Sequence, residues 1–415
     1  MHCDILIIGA GAAGIAAART ALAAGRSVRV LEARPRAGGR AWTDTSLGVP
    51  FDLGATWLHD AARNPLTSLA RELGVALQDS DAARREVTFL DGRRATAGEV
   101  AAYDAAWIGF EQAIAARAAA PGPDVPAAQA APRGGPWDAT VAAWQGQVIA
   151  AWPLEAMSLR DFHANLLGGA NLLPAGGLGA LIARLAAPLP VTLDAPVTRL
   201  RWGGRQAVAE GPFGSVTARA VVCTIPTSLL AGNAIRFDPP LPLAVQIAAH
   251  DLPLGAAIKV GLRAAGEDRL GLPDHASTDR RIADGEELIP ITFWPRGEPV
   301  ASAWIGGPLA AQLEGEGPAA AEALVRAEIT ARLGARAAHA FRPGAAVSAW
   351  RRDPWSRGVY SHARVGAAAA RAVLAAPLAD GRLCLAGEAC HDGLAGTVGG
   401  AWLSGVAAAR HALAA

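Results

Sequence analysis

The sequence predicts an α/β fold of mixed α+β character, and three observations predict it. The apolar strand ILII at 5–8 runs straight into spaced glycines and a small-residue helix. The runs PVTRLRW, GRQAVAE and GSVTARAVVCTIP at 196–226, broken by GG and GPFG turns, read as a β-meander followed by a buried strand. The C-terminal stretch from Arg382 reads as strand, loop and a second small-residue helix.

The first element is the most informative. Gly9, Gly11 and Gly14 form GxGxxG between the strand and a helix expected over 13–24, which Gly25 ends. The first glycine permits a tight turn, the second lets a pyrophosphate reach the backbone, and the third lets helix and strand pack closely. The helix N-terminus directs free amides and its dipole at that pyrophosphate. SVRVLE is the second strand. Glu32 at its end follows Gly14 by 18 residues, close to the spacing of about 20 for an acid that binds ribose hydroxyls. This context predicts a Rossmann-type dinucleotide site, with NAD and FAD both open. ARPRAGGRAWT at 33–43 then adds Gly38 and Gly39, which free backbone amides, and Arg40, a charge-assisted fork for phosphate. A second phosphate-reading loop suits an extended FAD.

Further elements follow in order. Residues 64–74 form a helix opened by Asn64-Pro65 and closed by Gly74. REVTFLDGRRA is a hairpin about its Asp-Gly turn. Residues 98–152 are Ala-rich helical stretches interrupted by a Pro/Gly-rich loop at 120–136. PAGGLGALIARLAAPL at 174–189 is a glycine-led loop and helix. PPLPLAVQIAAHDL is a helix after a proline turn, and GAAIKVGLR is a strand carrying Lys259.

Bulk properties bound the function. The 415 residues suffice for two domains. A formal net charge of +1 gives no support for a nucleic-acid or membrane partner. The four cysteines form no CxxC and no zinc spacing, so no metal is expected; Cys223 and Cys384 lie in strand-like runs and read as buried thiols. No signal peptide and no spanning apolar run is legible, so a cytoplasmic location is the expectation.

With these motifs in hand, the chain resembles the flavin-containing amine oxidase family, which includes monoamine oxidases, polyamine oxidases and lysine-specific histone demethylases. The LExRxxxGGR pattern is shared with phytoene desaturases and protoporphyrinogen oxidases, so it specifies FAD better than substrate. The resemblance is strong at both ends and weak over 80–170 and 265–340. It implies a discontinuous architecture: an FAD-binding domain from 1–75, 190–248 and 345–415, and a substrate-binding domain from 76–189 and 249–344.

The resemblance also implies site residues. Lys259 corresponds to a lysine that holds a water near flavin N5, although an isolated IKV also suits an edge lysine reaching water. Tyr360, in RGVYS, corresponds to an aromatic wall beside the flavin ring. Val359 stands where monoamine oxidases carry a flavin-bonded cysteine, so the FAD is expected to be non-covalent. Thr397 stands where those enzymes have a second wall tyrosine. Gly54, Ala55, Thr56 and Trp57, in GATWLHDAARNP, would run along the flavin. His59 would then reach the substrate amine, against the alternative of a core histidine. Asp60 would hold a distal ammonium or face solvent. Cofactor contacts carry over to Ala13, Ala33, Arg34, Val197, Trp350, Gly387, Glu388 and Val398. Cys390 and His391 match no family residue and read as loop positions.

The implied activity is oxidation of a primary or secondary amine, polyamine-like compounds favoured, with O2 reduced to hydrogen peroxide. A desaturase, an L-amino-acid oxidase and a non-catalytic flavoprotein remain alternatives. An amino-acid oxidase needs an arginine for the substrate carboxylate, and no position announces one. A homodimer stays open.

Overall fold

The strand His2–Ile8 is buried on both faces from Ile5 onward, as a parallel strand covered by helices on each side must be. It pairs in parallel with Val28–Leu31 and with Gly214–Cys223. The structure, a computed structural model, describes residues 2–415. Around this strand stands an eight-stranded sheet. The ten-residue strand Gly214–Cys223 is its hinge piece. It runs antiparallel to Ala207–Gly211 along its first half and parallel to Leu383–Leu385 at its end. Arg199–Arg201 and Arg236–Asp238 continue the meander, and Val191–Thr192 closes the other edge.

A seven-stranded sheet forms the second layer, in the order Ala346–Val347, Ala257–Arg263, Val300–Gly306, Ile291–Phe293, Ala276–Arg280, Arg85–Leu90 and Arg93–Arg94. It is antiparallel except where Ala276–Arg280 lies parallel to Arg85–Leu90. The hairpin read from REVTFLDGRRA is present as Arg85–Leu90 and Arg93–Arg94. Helices Ala97–Ala119, Asp138–Ala143 and Leu159–Ala164 pack around a core that includes Phe110, Trp137 and Phe162. The first of these begins in a full capping box between Thr96 and Glu99. A π-helical stretch, Trp144–Ala150, follows directly on Asp138–Ala143.

Two helices carry the nucleotide end. Ala12–Ala23 is apolar on nearly every face because it lies between the sheet and the helix Val398–Ala414. Gly9 has φ +101°, which only glycine adopts freely. A Cβ on Gly14 would collide with the Gly9 carbonyl oxygen, and one on Gly405 with the Ala13 carbonyl oxygen. The two helices therefore meet backbone to backbone. Asn64 caps Pro65–Glu72 through Leu66 N, as the sequence reading placed that helix.

The packing departs from the expected segments at two points. The helix Leu178–Ala186, read as part of the 76–189 segment, packs with Ile15, Leu58, Leu66 and Trp402, in the layer of the first sheet. Ala346–Val347, read with the C-terminal segment, pairs with Ala257–Arg263 in the second sheet. Both are short crossings whose partners lie far off in sequence.

The Gly405 contact sets a measurable limit. Gly405→Leu is expected to cost about 1–3 kcal/mol by overpacking against Ala13, read as a lower midpoint in chemical denaturation.

Candidate active site

One cavity of about 1200 Å³ runs from the glycine turn at Ile8–Ala13, past Lys259 and Tyr360, to Tyr103 and Trp107 on the helical side. Every residue that the sequence assigned to cofactor or chemistry lines it except Gly14, which packs behind the turn against Gly9.

At the nucleotide end, Glu32 is 3% exposed. Its carboxylate accepts from Ala10 N at 2.7 Å and Arg34 N at 2.9 Å. Gly11 is the N-cap of Ala12–Ala23 and no side chain caps it, so the first-turn amides remain available at the cavity. Gly38 pairs with Gly11, and a Cβ on Gly39 would crowd the Gly11 Cα at 3.2 Å. A buried carboxylate, uncapped amides and a second glycine turn make a donor set that fits an extended dinucleotide. The Arg34 side chain adds nothing to that set, because its guanidinium donates to Asp353 Oδ1 at 2.6 Å and Ser356 Oγ at 2.7 Å.

In the middle of the cavity, the strand Ala257–Arg263 sends Ile258, Val260 and Leu262 into the core of the second sheet. Alternation turns Lys259 to the other face, where it is 4% exposed. Its Nζ donates to Asp52 O at 2.8 Å, Gly54 O at 2.6 Å and Thr56 Oγ1. Its ammonium is thus directed at the 52–56 strip. The ammonium also lies 5.3 Å from the Trp304 ring and 5.8 Å from the Trp57 ring. Burial pulls the pKa of Lys259 down to about 8, with Asp52 opposing.

Tyr360 stands over Gly396; a Cβ there would touch its ring at 3.6 Å. Its hydroxyl donates to Ile149 O at 2.6 Å, and burial followed by the Glu388 charge raises its pKa, so it stays a phenol. Trp350 Nε1 donates to Leu53 O at 2.9 Å and fixes the 53–57 strip from the other side. The Glu388 carboxylate accepts from Ser361 Oγ at 2.7 Å, Gly396 N at 3.1 Å and Arg40 at 3.2 Å. Ser361 Oγ in turn accepts from Arg371, whose guanidinium makes a buried pair with Asp161 at 2.6 and 2.9 Å. Thr397 lines the cavity. Its hydroxyl donates to Leu394 O and caps Val398–Ala414 through Gly400 N.

His59 is half-buried in the cavity wall, 5.9 Å from the Trp57 ring. Asn171 Nδ2 donates to Asp81 at 3.1 Å, which turns its Oδ1 toward His59 Nδ1 at 2.7 Å. An amide oxygen only accepts, so Nδ1 carries the proton and Nε2 presents a lone pair. Burial lowers the His59 pKa, with Asn171 acting against it. Asp60 neither faces solvent nor waits for an ammonium: Arg63 pairs with its Oδ2, with Nε at 2.7 Å.

A family model described as "Flavin containing amine oxidoreductase" matches residues 12–133 and 130–413. The chain belongs to that family. Polyamine oxidase 4 of Oryza sativa subsp. japonica is 29% identical over 98% of this chain and 88% of its own length. Lysine-specific histone demethylase 2 of Homo sapiens is 27% identical over 97% of this chain and 52% of its own. A solved structure of wild-type putrescine oxidase bound to putrescine shares the fold, with a TM-score of 0.82 at 22% identity and full coverage of both chains.

For a flavin-dependent amine oxidoreductase, the sequence reading missed one group of residues. Asp279, Tyr103 and Trp144 converge on the far wall of the cavity although 135 or more positions separate Asp279 from the other two. They lie in the weakly resembling segments, and only the surplus of aromatics in 98–152 could have pointed to them.

Below pH 8 the fold bears the full cost of burying the Lys259 ammonium, and the cost fades as pH rises toward 10.5. Relative to Lys259→Met, the wild-type chain is therefore expected to gain up to about 3 kcal/mol over that range. Urea denaturation across pH checks this, and a flat difference would mean the ammonium is solvated.

Proposed function

We propose that this chain is an FAD-dependent oxidase of primary or secondary amines, polyamine-like compounds favoured, with O2 as oxidant. One observation carries the reading: a single cavity joins the glycine turns to Lys259, Tyr360 and an acid-lined mouth. The uncapped amides at Gly11–Ala13 would hold the pyrophosphate, and Glu32 the ribose hydroxyls. Gly54–Trp57 and the amides at Gly396–Val398 would flank the ring system. Bound FAD supplies the two-electron chemistry: hydride acceptance from the carbon beside nitrogen and delivery of the electrons to O2 as hydrogen peroxide.

The protein's own groups bind, orient and exclude water. Tyr360 and the tryptophans at 57 and 304 wall an apolar passage for the neutral amine. The neutral His59 Nε2 lone pair accepts an N–H of the arriving substrate and, as a base, draws the proton from its ammonium form, which leaves the nitrogen unprotonated for reaction. Lys259 holds Asp52, Gly54 and Thr56 in place, so its first effect is positional. The imine product leaves the passage and is hydrolysed to a carbonyl compound and a smaller amine or ammonia.

Val359 precedes Tyr360, and among the described residues no cysteine lines the cavity, which supports non-covalent FAD. Four unpaired cysteines support a reducing, cytoplasmic setting.

Anaerobic mixing with polyamines, monoamines and amino acids tests the reading. Polyamines are expected to bleach the flavin absorbance, and air to restore it with release of hydrogen peroxide. Flavin that no amine bleaches would sink the proposal. His59→Ala is expected to lower the reduction rate about 10- to 100-fold at neutral pH, with a smaller loss at high pH where more substrate is already neutral.

A further inference from the structure

Behind the cavity floor lies a buried ion pair that has no part in handling the amine. Arg371, on the helix Ala370–Ala375, is 1% exposed, and Asp161, on Leu159–Ala164, is 6% exposed. The five N–H donors of the guanidinium meet five acceptors: both Asp161 carboxylate oxygens, Ser361 Oγ at 2.8 Å, Ser361 O and Ala389 O. A buried ion pair often stabilises a fold no better than well-packed apolar residues of the same volume. Stability alone therefore gives no reason for this one, whereas the groups it touches do.

Two contacts of Arg371 flank Glu388. Ser361 Oγ accepts from Arg371 and donates to Glu388 Oε2 at 2.7 Å, and Ala389 follows Glu388 in the chain. A hydroxyl whose oxygen is held by a cation is a stronger donor than a free one. The Arg371 charge is thus passed on to the Glu388 carboxylate, which Arg40 also meets at 3.2 Å. The positive end of the pair faces this wall. Burial, and next the Arg371 charge, push the pKa of His362 down to about 4, with Asp161 opposing less.

The same helix grips the turn beyond Glu388. Asn165 Nδ2 donates to Asp161 O at 2.9 Å, and Asn165 Oδ1 accepts from Gly393 N at 2.9 Å and Ala395 N at 3.0 Å. Gly396 N donates to Glu388 Oε2 at 3.1 Å. The turn so held delivers the N-terminus of Val398–Ala414 to the cavity.

We propose that Asp161, Arg371 and Ser361 are positioning residues that set how readily flavin in this cavity takes up electrons. They hold Glu388 and the 393–397 turn, and through the Ser361 hydroxyl they offset the carboxylate charge at the cavity floor. This rests on the amine-oxidase reading and adds a control of electron uptake to it. Reduction adds negative charge to the flavin, so an under-compensated Glu388 opposes it and an over-compensated one favours it.

Equilibration of the flavin-loaded protein with a redox dye during slow reduction by dithionite, without any amine, tests the assignment. In Ser361→Ala, which leaves the Arg371–Asp161 pair in place, the equilibrium constant for two-electron reduction of the bound flavin is expected to fall about 10-fold. Ser361→Thr, which keeps the hydroxyl, should hold the wild-type value. Asp161→Asn keeps an oxygen for Arg371 but leaves the guanidinium charge unopposed, and is expected to raise the constant. A constant unchanged in Ser361→Ala, or lowered equally in the alanine and threonine variants, would overturn the relay even if Asp161→Asn failed to fold. If the constant moves as expected but no amine reduces the flavin, the relay stands and the oxidase reading falls. If amines reduce the flavin and the constant does not move, the relay falls and the oxidase reading stands.

Discussion

The backbone contact between the helices Ala12–Ala23 and Val398–Ala414 is the constraint on which the cavity depends. A side chain at Gly405 would force the helices apart, and one at Gly14 would drive the first helix off the glycine turn at Gly9. With those positions empty, both helices begin at the cavity, one at Gly11 and the other at Thr397. Both helix N-termini thus face the same cavity, an arrangement that favours an anionic ligand. The strand Gly214–Cys223 makes this permanent by pairing with the strands that feed both helices.

Buried charge organises the rest. Asp161, Arg371, Ser361, Glu388 and Arg40 form one connected chain of hydrogen bonds from the helical layer to the cavity floor. Removing one member of such a chain leaves a charge in low dielectric, which costs more than the pair itself contributes. Lys259 performs a comparable service between the seven-stranded sheet, to which it belongs, and the 52–56 strip, on which its protons end.

Much of the nucleotide end was legible because its signals are local. A glycine that needs φ near +100°, an acid at the end of the next strand and a cap before a helix each lie within a short window. Lys259 was legible as a cavity residue only through the family resemblance, since an isolated IKV suits an edge lysine, and its partners were not legible, since Asp52 lies 207 positions away. The helix N-terminus after Gly396 was legible too, but not the capping bond that the Thr397 hydroxyl accepts from Gly400 N. Asn171, which sets the tautomer of His59, is 112 residues distant. Asp279 was illegible for the same reason, as its neighbours come from segments that resemble the family least.

The π-helical stretch Trp144–Ala150 gathers several of these contacts. Its Trp144 reaches Asp279, its Val148 carbonyl takes Trp304, and its Ile149 carbonyl takes Tyr360. Such a stretch amounts to extra residues lodged in an α-helix. Deleting one would turn everything beyond it by about 100° and unhook the two ends of the cavity from each other. Insertion or deletion in this one segment, rather than side-chain replacement, would therefore change the length of the cavity.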